Sequence, residues 1–343
     1  MDVEFVDLAR DQQALFAMLD RLNKLEAGVT PVVRMMAGGV SSNIMQIKLG
    51  QEMFCLKQAL PTLKVAKQWH APIERVFAEV DWLEIVAGIV PDNVPTIKGV
   101  DRPSGSFLME FLPSEQNPCW KDLLLAGQVQ EGIAGQLGQV LSRIHQQTAG
   151  KPEIVARFDK PFNDANFMAL RLDAYLLETA RQHPAHQLFF QSLVASFVEH
   201  KYVLVHGDVS PKNILLGRKG PIILDAECAC YGDPAFDIAF LLNHLLLKAI
   251  AVPTAAPRLS SAFTAFCACY FSAVDWESKK ALELRVARLL PALLLARVDG
   301  KSPVEYLNQE QLQCVRVRAL HLLDAKFPAL QPIQAVWYGE VQQ

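Results

Sequence analysis

The chain has 343 residues, of which 51% are hydrophobic, enough for one large domain or two lobes, so global disorder is not expected. The formal net charge is only −3, so the sequence provides no broad basic surface and excludes nucleic acid as an expected partner. The longest apolar run, residues 235–252, contains Asp237, Asn243, His244 and Lys248, which predicts a buried helix and no membrane span.

The N-terminus and the cysteines indicate a cytoplasmic protein. The chain starts with Met-Asp-Val-Glu, without the apolar segment of a signal peptide, and its seven cysteines lack the spacing of a disulfide framework. Two C-x-C pairs, Cys228 with Cys230 and Cys267 with Cys269, have no second pair or histidine cluster of the kind that a zinc site needs. We interpret these cysteines as thiols of the core.

Hydrophobic periodicity indicates a chain that is rich in helices after its first hundred residues. Helices are predicted at residues 5–27, 72–86, 133–145, 167–179, 187–198, 236–247, 282–298 and 309–323, with a loop at 152–166. The early part of the chain also contains several short β-rich runs, and two candidate functional segments lie there.

The first candidate is a glycine-containing turn between strands predicted at residues 32–36 and 44–49. Glycine lets the backbone approach a phosphate closely, and hydroxyl groups can add hydrogen bonds. Gly39, Ser41 and Ser42 are therefore candidate contacts to the phosphates of ATP. Taken alone, such a turn is more often a simple hairpin.

The second candidate is the lysine near the end of a strand predicted at residues 53–58. Alternation along the strand places Lys57 on the same face as Met53 and Cys55, where a charge is costly without an anionic partner. We expect the ATP phosphates to be that partner. An isolated lysine at a strand end would instead extend its amine to water.

A glutamate on the following helix could orient this lysine. Glu79 lies on the same side of the predicted helix as Val76 and Leu83. Kinases use a Lys–Glu pair to position the nucleotide-binding lysine, and we favour that role for Glu79. Arg75, four residues earlier, leaves open a surface ion pair with Glu79.

The most informative stretch follows a strand predicted at residues 202–205 and precedes one at 214–216. His206, Asp208 and Asn213 have the spacing H-x-D-x-x-x-x-N of a kinase catalytic loop. In such a loop the aspartate takes the proton of the acceptor hydroxyl, and the asparagine holds magnesium. The pattern predicts Asp208 as the catalytic residue and Asn213 as a metal ligand.

The strands before and after this loop are expected to form a hairpin, and a third strand, predicted at residues 221–224, delivers Asp225 to the same edge of it. Its carboxylate should then face that of Asp208. Asp and Asn are common in turns, so any one of Asp208, Asn213 and Asp225 could be only a turn cap. Their joint occurrence at strand ends favours a phosphotransfer site.

These motifs resemble those of the aminoglycoside phosphotransferase-like kinases. The resemblance rests on His206-Gly207-Asp208 with Asn213, on Asp225-x-Glu227 and on Tyr231-Gly232-Asp233-Pro234-Ala235-Phe236-Asp237. It implies an α+β fold of protein-kinase type with two lobes. Residues 1–112 would form a small, mainly β lobe that binds the nucleotide, and residues 113–343 a larger, mainly helical lobe that binds the acceptor.

The resemblance also implies roles for residues that carry no signal of their own. The apolar strand before Pro113 would become the hinge that meets adenine, at Glu110 and Leu112. His206 and Asp237 would support the catalytic loop.

The Asp225-x-Glu227 pattern stands where protein kinases have Asp-Phe-Gly, which makes both carboxylates candidate magnesium ligands beside Asn213. A partial likeness to methylthioribose kinases lies in this pattern and in Lys57-Gln58-Ala59-Leu60-Pro61, Trp69 and Arg75. Those enzymes usually lack an asparagine at the position of Asn213.

The sequence therefore predicts a kinase that uses ATP and Mg²⁺ to phosphorylate a hydroxyl of a small molecule, either sugar-like or an amino alcohol. Two alternatives stay open: an aminoglycoside phosphotransferase and a non-catalytic pseudokinase that binds nucleotide. Residues 167–198 contain only Asp173 and Glu178 as acids, beside Arg171 and Arg181. This balance disfavours a polycationic acceptor.

Overall fold

The computed structural model describes residues 5–25, 28–36, 39, 41–63 and 70–341. The region up to residue 110 contains an antiparallel sheet with two helices, and the rest is mostly helical, which confirms the predicted α+β class. Trp69 and part of the glycine-containing turn lie outside the described residues. The predicted division into lobes at residue 112 falls just after the last strand of the sheet and stays a prediction.

The N-terminal sheet has five antiparallel strands in the order β1-β2-β3-β5-β4. The strands are β1 Val32–Met35, β2 Ser42–Leu49, β3 Glu52–Ala59, β4 Ile97–Asp101 and β5 Ser106–Glu110. Helix α1, Gln12–Arg21, covers one face, where Leu56 packs in a cluster with Leu19. Helix α2, Arg75–Ala87, covers the opposite face, on which Cys55 is buried. Because successive strand residues point to opposite faces, Lys57 shares the α2 side with Cys55, as its position in the sequence predicts.

The helices of the C-terminal region surround one central, apolar helix. They are α3 Trp120–Leu125, α4 Glu131–Thr148, α5 Pro152–Phe158, α6 Pro161–Phe167, α7 Glu178–Gln182, α8 Gln187–Glu199, α9 Ala235–Ala251, α10 Ala256–Ser272, α11 Lys279–Asp299, α12 Gln309–Ala325 and α13 Leu330–Val341, with a π-helix at Met168–Leu177. Helix α9 is buried along almost its whole length, in agreement with the prediction for its apolar run. In the described part of the chain, no helix has the length and apolar character needed to cross a membrane.

Two small antiparallel sheets form the base of the predicted catalytic loop. β6, Val203–Val205, pairs with β9, Cys230–Gly232, whereas β7, Ile214–Gly217, pairs with β8, Gly220–Ile223. The expectation of one hairpin that joins β6 to β7 was therefore wrong. Short 3-10 helices lie at Pro91–Asn93, Arg102–Ser104, Pro184–His186, Pro211–Asn213 and Pro253–Ala255.

The prediction of a loop at residues 152–166 was also wrong, because α5 and α6 occupy most of this segment. Each helix has a proline at its first position, where the missing amide hydrogen costs nothing. This segment has few apolar residues at helical spacing, yet its Ile154 and Phe158 are buried in the core. Packing against the rest of the protein thus determines these short helices more than their own sequence does.

Candidate active site

Asp208 lies at the centre of the site, in the loop between β6 and the 3-10 helix before β7. Its carboxylate oxygen Oδ2 is 3.1 Å from the guanidinium of Arg171 and 3.1 Å from the amine of Lys212. Burial would raise the pKa of Asp208, but Lys212 and Arg171 outweigh burial and hold the pKa below its usual value. Asp208 is therefore an ionised carboxylate at neutral pH that can accept a hydrogen bond from a hydroxyl group.

The backbone before Asp208 is held by a buried aspartate at the start of α9. The amides of His206 and Gly207 each donate a 2.8 Å hydrogen bond to the carboxylate of Asp237. The His206 ring connects the loop to the next segment, because Nδ1 accepts from the Asp208 amide at 3.0 Å and Nε2 lies 3.1 Å from the Leu224 carbonyl oxygen. These are the contacts expected of two residues that support the catalytic loop.

Asn213 turns its amide group toward the same loop. Its Nδ2 donates a 3.0 Å hydrogen bond to the carbonyl oxygen of Asp208, which directs the side-chain oxygen Oδ1 away from that bond. The backbone carbonyl of Asn213 accepts from the Leu224 amide at 2.9 Å. The loop and the segment that leads to Asp225 are therefore directly connected.

Lys57, on β3, connects the N-terminal sheet to this centre. Its amine is 2.5 Å from Oε2 of Glu79 on α2 and also forms an ion pair with Asp225. The three residues come from distant parts of the chain, and Lys57 and Glu79 are almost fully buried. The predicted Lys–Glu pair is present, and the alternative of a surface pair between Arg75 and Glu79 was wrong.

The charges in this triad stabilise one another. Burial alone would lower the pKa of Lys57, but the carboxylates of Asp225 and Glu79 raise it above its usual range. Burial would raise the pKa of Asp225, but Lys57 and Lys212 hold it well below its usual value. Burial raises the pKa of Glu79, and the proximity of Lys57 opposes that shift.

Replacing Lys57 should therefore affect both stability and catalysis. In Lys57→Met, Glu79 loses its counter-ion, so its pKa in the folded state should rise further above the unfolded value of about 4.5. An acid with a raised folded pKa loses stability as pH rises, so the variant should be more destabilised at pH 8 than at pH 5.5. Urea unfolding at both pH values measures this difference.

The matched control for that prediction is the double variant Lys57→Met with Glu79→Gln. Because the double variant buries no unpaired carboxylate at position 79, its stability should depend less on pH than that of the single variant. Equal pH dependence in the two variants would show that Glu79 does not carry the effect.

Glu227 faces a buried arginine in this structure. Its Oε2 accepts a 3.0 Å hydrogen bond from Nε of Arg75, which has no exposed surface. The other nitrogens of Arg75 donate to the carbonyl oxygens of Ala71, Pro72, Ser41 and Leu60. Arg75 thus connects α2, the end of β3 and the glycine-containing turn to Glu227.

The described part of the glycine-containing turn has the features of a close backbone approach. Gly39 has a φ of 76°, and a Cβ atom there would lie 2.5 Å from the carbonyl oxygen of Ser42. A side chain is therefore excluded at position 39. Ser41 is held through its carbonyl by Arg75, and the buried hydroxyl of Ser42 has no hydrogen-bond partner in the part of the chain that the structure describes.

The predicted hinge residues lie at the end of β5. Glu110 is exposed, and its amide donates to the carbonyl oxygen of Thr96 at 2.8 Å. Leu112 follows in the connection to the helical region and is half-buried. Their contact with adenine stays a prediction.

Three residues of the site were missed by the sequence interpretation. Arg75 was considered as a surface partner of Glu79 and as part of the likeness to methylthioribose kinases, but not as a partner of Glu227, and Arg171 only as one charge in a helix. Lys212 follows Asp208 by four residues within the motif itself, so its position gave a signal that could have been used. Nothing local distinguishes Arg171, because its contact with Asp208 depends on how the π-helix packs against the loop.

The donor set fits magnesium held together with a nucleotide. No group of three or more His, Cys, Asp or Glu side chains within the described residues could hold a metal ion by itself. Mg²⁺ is commonly bound by one or two carboxylates plus the phosphates of a substrate. Asp225, and Asn213, whose backbone carbonyl accepts a hydrogen bond from the Leu224 amide just before Asp225, would supply protein oxygens of that kind, whereas Glu227 is engaged with Arg75.

A family model described as the phosphotransferase enzyme family matches residues 32–266, more than half of the chain. The chain belongs to this phosphotransferase family. A methylthioribose kinase of Pectobacterium atrosepticum is 27% identical over 231 residues, which cover 60% of this chain and 57% of that protein. The chain thus spans little more than half the length of that relative. Both similarities confirm the resemblance that the motifs predict.

Solved structures of small-molecule kinases have the same fold as this family member. An amicoumacin kinase in complex with AMP-PNP, Ca²⁺ and Ami aligns with a TM-score of 0.56 at 13% identity, over 93% of this chain and 95% of that one. A choline/ethanolamine kinase family protein from Mesorhizobium loti aligns with a TM-score of 0.52 at 14% identity, over 96% and 98%. At such identities the likeness confirms the fold alone.

Proposed function

We propose that this protein is a small-molecule kinase that transfers the γ-phosphate of ATP to a hydroxyl group, with Mg²⁺ as cofactor. The observation that carries the proposal is the convergence of Asp208 and Asn213 with the triad of Lys57, Glu79 and Asp225. Membership of the phosphotransferase family supports the reaction class. Use of ATP fits the cytoplasmic location that the sequence predicts.

Each of these groups has a role that its geometry permits. Asp208 is ionised and would accept the hydrogen bond of the acceptor hydroxyl, which orients the oxygen and removes its proton as the new bond forms. Arg171 holds the Asp208 carboxylate in place at 3.1 Å. Lys212 pairs with the same oxygen, and because half of its side chain is exposed, its amine would be available to the transferred phosphoryl group.

The nucleotide would be held by the N-terminal sheet and by Asp225. Lys57, fixed by Glu79, would bind the phosphates, and the turn at Gly39, Ser41 and Ser42 would lie over them. Asp225 and Asn213 would hold magnesium, which when bound neutralises negative charge on the phosphates. Phosphoryl transfer depends mainly on positioning and charge neutralisation, so these groups suffice without a covalent intermediate.

The direct test is ADP release from Mg·ATP in the presence of polyols, amino alcohols and aminoglycosides. We expect turnover with at least one class of hydroxyl acceptor, and loss of that turnover in Asp208→Asn. Tight nucleotide binding without any ADP release would favour a pseudokinase. Turnover that survives in Asp208→Asn would remove Asp208 from the reaction.

A further inference from the structure

A buried cluster of basic groups lies in the helical region beside the catalytic loop. We define the basic cluster as Lys248 and His244 on α9, Arg297 near the end of α11, and Tyr306 in the loop after α11. Lys248 is 1% exposed, and its amine lies 3.4 Å from the centre of the Tyr306 ring. Within the described residues, the Lys248 amine forms no hydrogen bond or ion pair.

Other members of the basic cluster also have unused polar atoms. Among the described residues, the buried Nε of Arg297 and the buried hydroxyl of Tyr306 have no hydrogen-bond partner. Arg297 Nη1 donates to neutral oxygens only, those of Ser302 and the hydroxyl of Tyr175. A buried charge without a counter-ion is costly, so the cluster is poorly suited to stabilising the fold on its own.

Nearby carboxylates are already paired with other cations. Glu305, next to Tyr306, forms an ion pair with Lys121. The carboxylate of Asp208 is shared between Arg171 and Lys212. Neither Lys248 nor Arg297 therefore forms an ion pair with a carboxylate among the described residues, although the charge of Glu305 acts on both from a distance.

The basic cluster is connected to the catalytic centre through the π-helix. Arg297 contacts the Tyr175 hydroxyl at 3.2 Å, the Arg171 guanidinium lies 5.9 Å from the centre of the Tyr175 ring, and Arg171 holds Asp208. A second connection runs along α3, because Cys119 at its start lies 3.7 Å from the Lys212 carbonyl oxygen. Lys121 on the same helix pairs with Glu305 beside Tyr306.

Burial and the neighbouring positive charges lower the pKa values of both Lys248 and His244. Burial, followed by the charge of Lys121, lowers the pKa of Lys248 to about 7. Burial also lowers the pKa of His244 well below its usual value, and the charges of Arg297, Lys248, Lys212 and Lys121 add to that effect. An anion bound among these groups would favour their protonated forms and so raise both pKa values.

We propose that the basic cluster is the subsite for an anionic group of the acceptor, a carboxylate or a phosphate on the molecule whose hydroxyl reaches Asp208. This proposal rests on the proposed kinase function and specifies its substrate class. It replaces the sugar-like or amino-alcohol acceptors that the sequence predicts with hydroxy acids or phosphorylated polyols. An ammonium group at this position would meet Lys248 and Arg297 as like charges.

The binding test compares wild type with Lys248→Met, Lys248→Gln and the exposed control Lys280→Met. Thermal unfolding is followed with saturating Mg·ADP, so that the nucleotide site is filled, in inorganic phosphate and in chloride of equal ionic strength. We expect phosphate to raise the melting temperature of wild type and of Lys280→Met, but not of either Lys248 variant. We also expect Lys248→Met to melt higher than wild type in chloride, because it removes an uncompensated buried amine.

The pH dependence of phosphate binding provides a second test of the same site. Because the Lys248 amine has a pKa of about 7 without ligand and an anion raises it, anion binding should take up a proton. The phosphate affinity should therefore weaken as pH rises above 7, by up to about tenfold per pH unit. An equal response to phosphate in wild type and the Lys248 variants would overturn the proposal.

The kinetic test uses four small acceptors that differ in charge: glycerol, 3-amino-1,2-propanediol, glycerate and glycerol 3-phosphate. We expect ADP release to favour glycerate or glycerol 3-phosphate, and the difference between these two identifies carboxylate or phosphate as the anion. In Lys248→Gln the KM of the favoured acceptor should rise about tenfold or more with a smaller change in kcat.

The outcomes separate this proposal from the proposed function. Preference for glycerol or its amine, unchanged in Lys248→Gln, would overturn the anion subsite and leave the kinase intact. Loss of phosphate binding in the Lys248 variants without ADP release from any compound would support the subsite and count against the kinase.

Discussion

Asp225→Asn is expected to weaken the binding of Mg·ATP by about tenfold or more and to abolish turnover, because the variant lacks the carboxylate charge that would hold the metal. Asp225 has a φ of 69°, in the left-handed region where asparagine is also tolerated, so the substitution should preserve the backbone. Isothermal titration with Mg·AMP-PNP measures the loss of affinity directly.

Asp208→Asn provides the matched control. Asp208 forms ion pairs with Arg171 and Lys212, whereas Lys57 pairs with Glu79 and Asp225, so substitution of Asp208 should leave nucleotide affinity close to that of wild type. Turnover should still fall by about a hundredfold to ten-thousandfold, the usual contribution of a general base. Equal nucleotide affinity in the two variants would contradict the separate roles proposed for the two aspartates.

Arg75→Met is expected to cause the largest loss of stability. The change leaves the buried Glu227 carboxylate without its partner and removes the donors to the Ser41 and Leu60 carbonyl oxygens. Breaking a buried ion pair in this way costs about 3 to 5 kcal/mol of the free energy of unfolding. The urea midpoint of the first unfolding transition should therefore fall well below that of wild type.

Two further variants test the cause of that loss. Arg75→Lys keeps the charge but cannot reproduce the planar fork of donors, so it should recover only part of the stability. The double variant Arg75→Met with Glu227→Gln should be more stable than Arg75→Met alone, because no unpaired carboxylate remains. A midpoint for Arg75→Met equal to that of wild type would show that this network does not stabilise the fold.

The parts of the site that the sequence predicts well are those with a local signal. His206, Asp208 and Asn213 have fixed spacing within one loop, and alternation in β3 places Lys57 on the correct face. Glu79 follows from helical spacing in α2 in the same way. Each of these positions depends on a period or a motif that a few neighbouring residues define.

The residues and pairings that were missed depend on contacts between distant segments. Arg75 meets Glu227 across 152 positions of the chain, and Arg171 reaches the loop from the π-helix. The pairing of β6 with β9 brings together strands on opposite sides of the catalytic loop, where a hairpin with β7 was the local expectation. Long-range packing determines these features, and no window of sequence contains both partners.

The contact of Asp237 with the catalytic loop should make two loop amides unusually resistant to hydrogen exchange. Amides in loops ordinarily exchange through small local openings, whereas those bound to buried groups wait for larger ones. The amides of His206 and Gly207 both donate to a carboxylate with no exposed surface at the start of α9. Their deuterium uptake should therefore follow the slow opening of α9 and not that of the neighbouring loop, so the loop that carries Asp208 should open only when the central helix does.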